Sequence, residues 1–426
     1  MSELPEHSPK PDLQATTVST VYHFRFNDVL LGAQMLFVAF GALVLVPILA
    51  GVNPNVALFT SGVGTLCFQL VTGGKIPVYL ASSFAFIAPI TLSVQKYGLP
   101  ATLSGLAAAG IVYLILSLII FWRGSGMVTR ILPPIVTGPV IMVIGLSLAS
   151  TAVKMASEAG EGYSEWMAIS VAMISLLATM LTAILGRGFL RLVPILMGIG
   201  VGYLVTLPLG MVDFTPVSQA PWFQIPEFTT PSFSLPAILF IVPVAIAPAI
   251  EHIGDVLAIS SVTGNNYLRE PGLHRTLLGD GLATTLAAFV GGPPNTTYSE
   301  VTGAVALTKT FNPAIMTWAA IIAILLSFLG KLEALLKTIP LPVMGGILII
   351  LFGTIVVIGM NSIVRSSADL LEPRNLVIVA VILMLGVGGM SVKAGGFALE
   401  GIGLSSILGV LLNGLLPYKE EHRRLG

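Results

Sequence analysis

Charged residues are scarce in this chain. They make up 9% of its 426 residues, where about 25% is usual in a soluble domain, while hydrophobic residues make up 55%. That balance excludes a soluble globular protein and predicts an integral membrane protein. Cysteine is scarcer still: Cys67 is the only one, so intrachain disulfides are excluded, and its place in an apolar run reads as a small buried hydrophobe rather than a reactive thiol. The formal net charge is zero and Lys and Arg fall one or two to a loop, which argues against a nucleic-acid partner. No hydrolase elbow, phosphate loop, nucleotide fingerprint or metal-spaced His/Cys cluster stands out, and Gly-x-Gly patterns carry little information among 45 glycines. The reading is therefore of a protein that is not an enzyme and holds neither cofactor nor metal. The residues up to about Asn27 are polar, carry Pro5, Pro9 and Pro11 and include no apolar core ending in a cleavage site, so no cleaved signal peptide is expected.

What the chain does have is long apolar runs, recurring from about residue 29 to 416, most of them near the roughly 20 residues that span a bilayer as a helix. Fourteen spans are predicted, near 29–50, 55–73, 78–94, 101–122, 133–153, 166–186, 190–210, 235–262, 275–291, 296–308, 313–330, 340–360, 375–391 and 398–416; twelve or thirteen result if a short segment is re-entrant. On this threading the side holding both termini carries 15 of the 20 Lys and Arg, and the other only Lys96, Lys154, Lys331, Lys337 and Lys393. The asymmetry predicts cytoplasmic termini.

Two spans are too short or too interrupted for plain helices. The third opens on Lys75-Ile76-Pro77 and the tenth on Pro293-Pro294-Asn295-Thr296-Thr297. Each is third in its group of seven. Pro134, Gly138 and Gly145 also match Pro342, Gly346 and Gly353 at an offset of 208, and Gly62, Thr65 and Gly73 match Gly281, Thr284 and Gly292 at 219. The expected fold is an all-α polytopic membrane protein with 14 segments in two inverted repeats of seven, the third and tenth made of strand plus helix. In such plans the interrupted segments mark the binding site.

Ionisable groups deep in a bilayer are few and usually functional. Glu251 lies midway along its span, Asp255 follows it by four residues on the same helical face, and Glu300 opens the tenth span. Unpaired backbone N–H groups at that break can donate to a ligand carbonyl while Glu300 accepts from a ligand N–H, so a planar solute with alternating N–H and C=O groups fits. The Glu251/Asp255 pair is a proton-carrier candidate, since two close carboxylates in low dielectric cannot both ionise cheaply. His252 reads as a packing or supporting residue. Gln34 and Asp280 divide evenly between packing and support of the site. Phe84, by spacing alone, is an ordinary packing aromatic.

At these residues the sequence resembles the nucleobase–ascorbate transporter family, above all its bacterial uracil-carrying members. The matches run in order through Phe40-Gly41-Ala42, Lys75-Ile76-Pro77, Ser82-Ser83-Phe84-Ala85-Phe86, Glu251-His252-Ile253-Gly254, Pro271-Gly272-Leu273-His274-Arg275, Pro294-Asn295-Thr296-Thr297-Tyr298 and Ile339-Pro340-Leu341-Pro342. The resemblance implies proton-coupled nucleobase uptake by alternating access in the bacterial cytoplasmic membrane, often as a homodimer. It implies a core domain (28–122 and 235–330), a gate domain (123–234 and 331–416) and cytoplasmic tails at 1–27 and 417–426. Carried over, Glu251 and Glu300 bind the base, the backbone at Phe84 and Ser299 binds its carbonyls, Tyr298 lines the site, and Gln34, Ser83 and Thr297 support it. The chain departs from the pattern at Met35 and Asp255, where the uracil-carrying members have His, at Val301, where Asn is usual, and at Ser299, which replaces Gly. Uracil is the expected base, with xanthine or uric acid as alternatives and an inorganic anion transporter of related architecture as the runner-up. The tails are too short for an appended regulatory domain.

Overall fold

The computed structural model describes residues 20–124, 126, 131–160, 162–366, 368–394 and 397–417. Most of the expected N-terminal tail (1–27) and nearly all of the C-terminal one (417–426) lie outside the described residues, as do Lys10, Arg130, Lys419, Arg423 and Arg424 of the charge count. The chain is helical almost throughout: α1 Val29–Ala50, α2 Pro54–Thr72, α3 Ile87–Tyr97, α4 Leu99–Arg123, α5 Pro134–Ser157, α6 Glu165–Leu185, α7 Pro194–Thr206, α8 Leu235–Thr263, α9 Leu273–Phe289, α10 Ser299–Thr308, α11 Ala314–Ser327, α12 Gly330–Lys337, α13 Leu341–Arg365, α14 Pro373–Val387 and α15 Gly401–Leu415. Seven are long and apolar enough to cross a bilayer (α1, counted from Phe26, α2, α4, α5, α6, α8 and α13), and α7, α11, α14 and α15 are shorter apolar helices.

Local chemistry sets the helix ends. Asn53 caps α2, its side chain accepting from the N–H groups of Asn55 and Val56, with Pro54 following at the first helical position. Ser234 caps α8 in the same way through the N–H of Ala237. Gly51 and Gly73 close α1 and α2 in the left-handed conformation that favours glycine. Inside α8, Pro243 sits in a tighter turn of 3-10 geometry at Val242–Ala245.

Four short strands form two antiparallel pairs. β1 (Leu80–Ser82) pairs with β2 (Asn295–Thr297), matching Leu80 with Thr297, Ala81 with Thr296 and Ser82 with Asn295. β3 (Ser391–Ala394) and β4 (Phe397–Glu400) make a hairpin between α14 and α15. That hairpin was not anticipated: the apolar runs 375–391 and 398–416 read as helix up to and from this turn, but the helices stop at Val387 and start at Gly401. Neither α12 nor the short helix Thr215–Gln219 was foreseen, both being too short and polar to register as spans.

Close helix crossings rest on glycine. A Cβ on Gly138 of α5 would lie 2.8 Å from the carbonyl oxygen of Gly359 on α13, and one on Gly359 would lie 2.6 Å from that of Gly138. Gly62 of α2 meets the backbone of Ala320 on α11, and Gly281 of α9 meets Gly110 on α4. Small residues let backbones approach in the absence of a hydrophobic driving force between helices.

Residues 20–28 lie as a strap against the start of α11. The Tyr22 hydroxyl is 3.1 Å from Thr317 Oγ1, the His23 N–H donates to Asn312 Oδ1 (3.1 Å), and Asn312 Nδ2 donates back to the His23 carbonyl (2.8 Å). Trp318 Nε1 donates to the Arg25 carbonyl (2.8 Å), and the Phe24 ring stacks on Trp318 with centroids 4.6 Å apart. Nearby, Lys75 and Glu270 form an ion pair at 2.6 Å that holds the Glu270 carboxyl below the usual carboxylate range.

Two glycines of α13 make a paired test. A Cβ on Gly346 runs into the backbone carbonyl of Ala172, whereas one on Gly353 meets nothing within 4 Å. Gly346→Ala is expected to destabilise the detergent-solubilised protein by about 1–3 kcal/mol through overpacking, while Gly353→Ala leaves thermal unfolding unchanged or raises it by up to about 1 kcal/mol equivalent.

Candidate functional site

The two broken segments cross at the β1–β2 pair. Each is a strand followed by a short helix: β1 leads through the turn Phe84–Phe86 into α3, and β2 leads through Tyr298 into α10. The pairing extends beyond the strands, with the Ser83 N–H donating to the Pro294 carbonyl (2.9 Å) and the Tyr298 N–H to the Tyr79 carbonyl (3.2 Å). A short strand in a bilayer leaves backbone groups that neither water nor lipid can satisfy. Here each strand supplies the partner of the other.

Side chains from the flanking helices complete the pairing. Thr65 on α2 accepts from the Leu80 N–H (2.9 Å), and Thr284 on α9 donates to the Asn295 carbonyl (3.0 Å). Asn295 is buried and donates through Nδ2 to the Thr60 carbonyl on α2 at 3.0 Å. Gly64 makes room for it, since a Cβ there would collide with Asn295 Nδ2. Gln69 Nε2 donates to the Ile76 carbonyl (2.9 Å), and Ser61 Oγ lies 2.9 Å from the Tyr79 hydroxyl. Asn295 was part of the stretch singled out in the sequence, but nothing in its type told a clamp from a ligand.

The predicted site residues gather around this crossing. Tyr298 is buried, donates its hydroxyl to the Ser82 carbonyl (2.7 Å), and stacks on Phe84 with ring centroids 6.3 Å apart and planes 18° from parallel. Glu300 occupies the first turn of α10 and Glu251 stands on α8, both half-buried. α8 packs against α10, so Glu251, Asp255 and Glu300 come from two neighbouring helices. Gly254, Ser299 and Gly303 are exposed beside them, and Cβ atoms built on the two glycines meet nothing within 4 Å, so α8 and α10 border open space.

Asp255, one turn beyond Glu251 on α8, turns its oxygens toward β2 and the start of α10. Thr297 Oγ1 donates to its Oδ2 at 2.7 Å and Ser299 Oγ donates to its Oδ1, so both oxygens accept from hydroxyls two residues apart on the tenth segment. Asp255 thereby ties α8 to the start of α10. Ser83 is fully buried, with no hydrogen bond to its hydroxyl among the described residues. Gln34 is half-buried on α1, which packs against β1 and α10, and its side chain makes no hydrogen bond among the described residues. Met35 and Val301, where the family pattern has polar residues, are both fully buried in the apolar core. His252 and Asp280 face each other with Nδ1 and Oδ2 3.3 Å apart, both without solvent exposure. A separate cleft of about 630 Å3, lined by Phe214, Val217, Trp222, Leu329, Lys331 and neighbours, shares no residue with this site.

A model of a permease family matches residues 26–395. The chain is 54% identical over 386 residues to the probable uracil permease of Pasteurella multocida, covering 91% of this chain and 93% of that one. It is 53% identical over 386 residues to the probable uracil permease of Haemophilus influenzae, with the same coverage of each. Among solved structures it is similar to the transmembrane domain of a cyanobacterium bicarbonate transporter, with a TM-score of 0.62 and 15% identity, covering 92% of this chain and 98% of that one. At that identity the likeness is one of fold.

The clamp on the strand crossing is open to test. Asn295→Ala leaves the Thr60 carbonyl without its donor in a buried place, and thermal unfolding in detergent is expected to show a loss of about 1–3 kcal/mol. An unchanged melting temperature would mean that the crossing is held without Asn295.

Proposed function

Because the chain belongs to the nucleobase–ascorbate transporter family, the permease family whose model spans residues 26–395, we propose that it carries uracil together with a proton across the cytoplasmic membrane. It is a multi-pass membrane transporter and not an enzyme. The observation that carries the reading is the pairing of β1 with β2, which brings Glu251 and Glu300 into one neighbourhood with the stacked rings of Phe84 and Tyr298. Uracil presents two ring N–H groups and two carbonyls in one plane. Glu251 and Glu300 accept from the N–H groups, and backbone N–H groups at Phe84 and Ser299 donate to the carbonyls. Tyr298 and Phe84 wall the site, and Ser83, Thr297 and Gln34 support it.

The proposed architecture is 14 segments in two inverted repeats, with the third and tenth as the interrupted pair. Reciprocal packing supports it: at the 219 offset α2 corresponds to α9, and α2 crosses α11 through Gly62 just as α9 crosses α4 through Gly281. Thr65 and Thr284, also 219 apart, each bond to a strand of the crossing. Residues 28–122 and 235–330 form the core domain that carries the site, 123–234 and 331–416 form the gate, and the transporter assembles as a homodimer. Both termini face the cytoplasm, on the charge asymmetry of the loops.

The coupling proton binds the Glu251/Asp255 pair. When Asp255 is ionised, both its oxygens accept, from Thr297 and Ser299. Taking up a proton turns one oxygen into a donor, and the hydroxyl facing it must turn round or let go. Protonation of Asp255 thereby loosens the tie between α8 and α10 beside the base. No cofactor other than the proton is needed. Xanthine and uric acid remain the competing substrates, because an acidic residue at the place of Asp255 also resembles the purine-carrying members. The anion reading lacks a cation in the site, where carboxylates gather instead.

Labelled uracil uptake into proteoliposomes, with and without an inward proton gradient and with unlabelled xanthine as competitor, tests the whole reading. Gradient-driven uptake insensitive to xanthine is expected; uptake abolished by xanthine would move the substrate to purines. Glu300→Ala is expected to abolish uptake, and wild-type rates in that variant would remove Glu300 from the site. Asp255→Asn is expected to lose gradient dependence or transport altogether, and unaltered dependence would place the proton elsewhere.

A further inference from the structure

Behind Glu251, on the side of α8 turned away from the open space, lies a polar cluster in an otherwise apolar interior. His252 on α8 and Asp280 on α9 have no solvent exposure, and His252 Nδ1 lies 3.3 Å from Asp280 Oδ2. The Phe68 ring of α2 meets the His252 ring edge to face, with centroids 6.4 Å apart. Tyr113 of α4 is buried beside Asp280, brought there by a tight crossing in which a Cβ on Gly281 would lie 2.8 Å from Tyr113 Cβ. Four helices thus contribute to one small region. Neither His252 nor Asp280 has a part in the binding scheme above.

Helix geometry connects this cluster to the site. Successive residues of an α-helix point about 100° apart, so the direction of His252 determines that of Glu251, and Asp255, one turn on, follows Glu251. One turn on, Asp255 holds α8 toward α10 through Thr297 and Ser299, and His252 meets Asp280 on the side toward α9. The helix is interrupted just upstream by the 3-10 turn at Val242–Ala245, and Gly254 borders open space. A buried polar pair in an apolar interior is best attested as a device that specifies register. Resting on the functional reading above, we propose that His252 and Asp280 are positioning residues that set the rotation of α8 and hold Glu251 toward the nucleobase.

The test measures uracil uptake in proteoliposomes for H252A, D280A, the double variant H252Q–D280N and, in parallel, E251Q. A displacement of about 1 Å in a ligand-contacting group can cost about a hundredfold. The single alanine variants are therefore expected to raise KM about tenfold or more, with Vmax per folded transporter within about threefold of wild type. H252Q–D280N, in which two amides still bond to each other, is expected to recover KM to within about threefold. If H252A and D280A fail to fold, D280N alone serves: it keeps the size and an acceptor oxygen, and a KM near wild type is expected. The inference is overturned by a wild-type KM in both alanine variants while E251Q is impaired, by a double variant as impaired as D280A, or by D280N raising KM about tenfold. Uptake that E251Q leaves untouched overturns instead the role given to Glu251.

Discussion

Everything in this structure depends on one constraint of the bilayer: a backbone N–H or C=O in hydrocarbon needs a partner supplied by protein. Helices meet it from within. Two stretches of this chain cannot, because Pro77 in one and Pro293-Pro294 in the other break the ladder, and they meet it by pairing with each other as three-residue strands. Among the described residues neither strand pairs with any strand but the other. Thr60, Thr65, Thr284 and Asn295 then bind the crossing to α2 and α9. Where two strands end, two short helices begin, and the polar groups of their first turns face a shared neighbourhood.

That neighbourhood collects carboxylates without collecting cations. Glu251, Asp255 and Glu300 come from α8 and α10, and their mutual repulsion is tolerable only where hydrogen-bond donors or protons answer it. Asp255 is answered by Thr297 and Ser299. Ser299 replaces the glycine of the family pattern, and its hydroxyl is what completes the second half of that answer. Two of the positions at which the resemblance implies a departure, Asp255 and Ser299, are thus bonded to each other across α8 and α10.

The helices were legible in the sequence because long apolar runs leave few alternatives, and helix ends followed Pro and Gly closely, as at Pro54 and Gly73. The breaks at Pro77 and Pro293-Pro294 were equally plain. What could not be read was partnership. Nothing in the spacing of Leu80–Ser82 or Asn295–Thr297 said that these strands pair with one another, and a separation of more than two hundred residues gives no local signal. Glu251 and Asp255, four apart on one helix, read as a proton pair from spacing alone, but the hydroxyls of Thr297 and Ser299 that Asp255 meets come from a distant stretch and left no trace in that spacing. The hairpin at β3 and β4 escaped notice because its residues, Ser391 to Glu400, sit between two apolar runs and carry no strong alternation.

The strap at residues 20–28 has a consequence in time. Tyr22 reaches Thr317, 295 positions further along the chain. At synthesis rates of about 5–20 residues per second, roughly 15–60 seconds pass between the emergence of the two. For that interval Phe24 and Phe26 lack the Trp318 ring they pack on, and the exchange of hydrogen bonds between His23 and Asn312 can form only once α11 has arrived. The strap is therefore made early but cannot close until three quarters of the chain, through α11, has followed it.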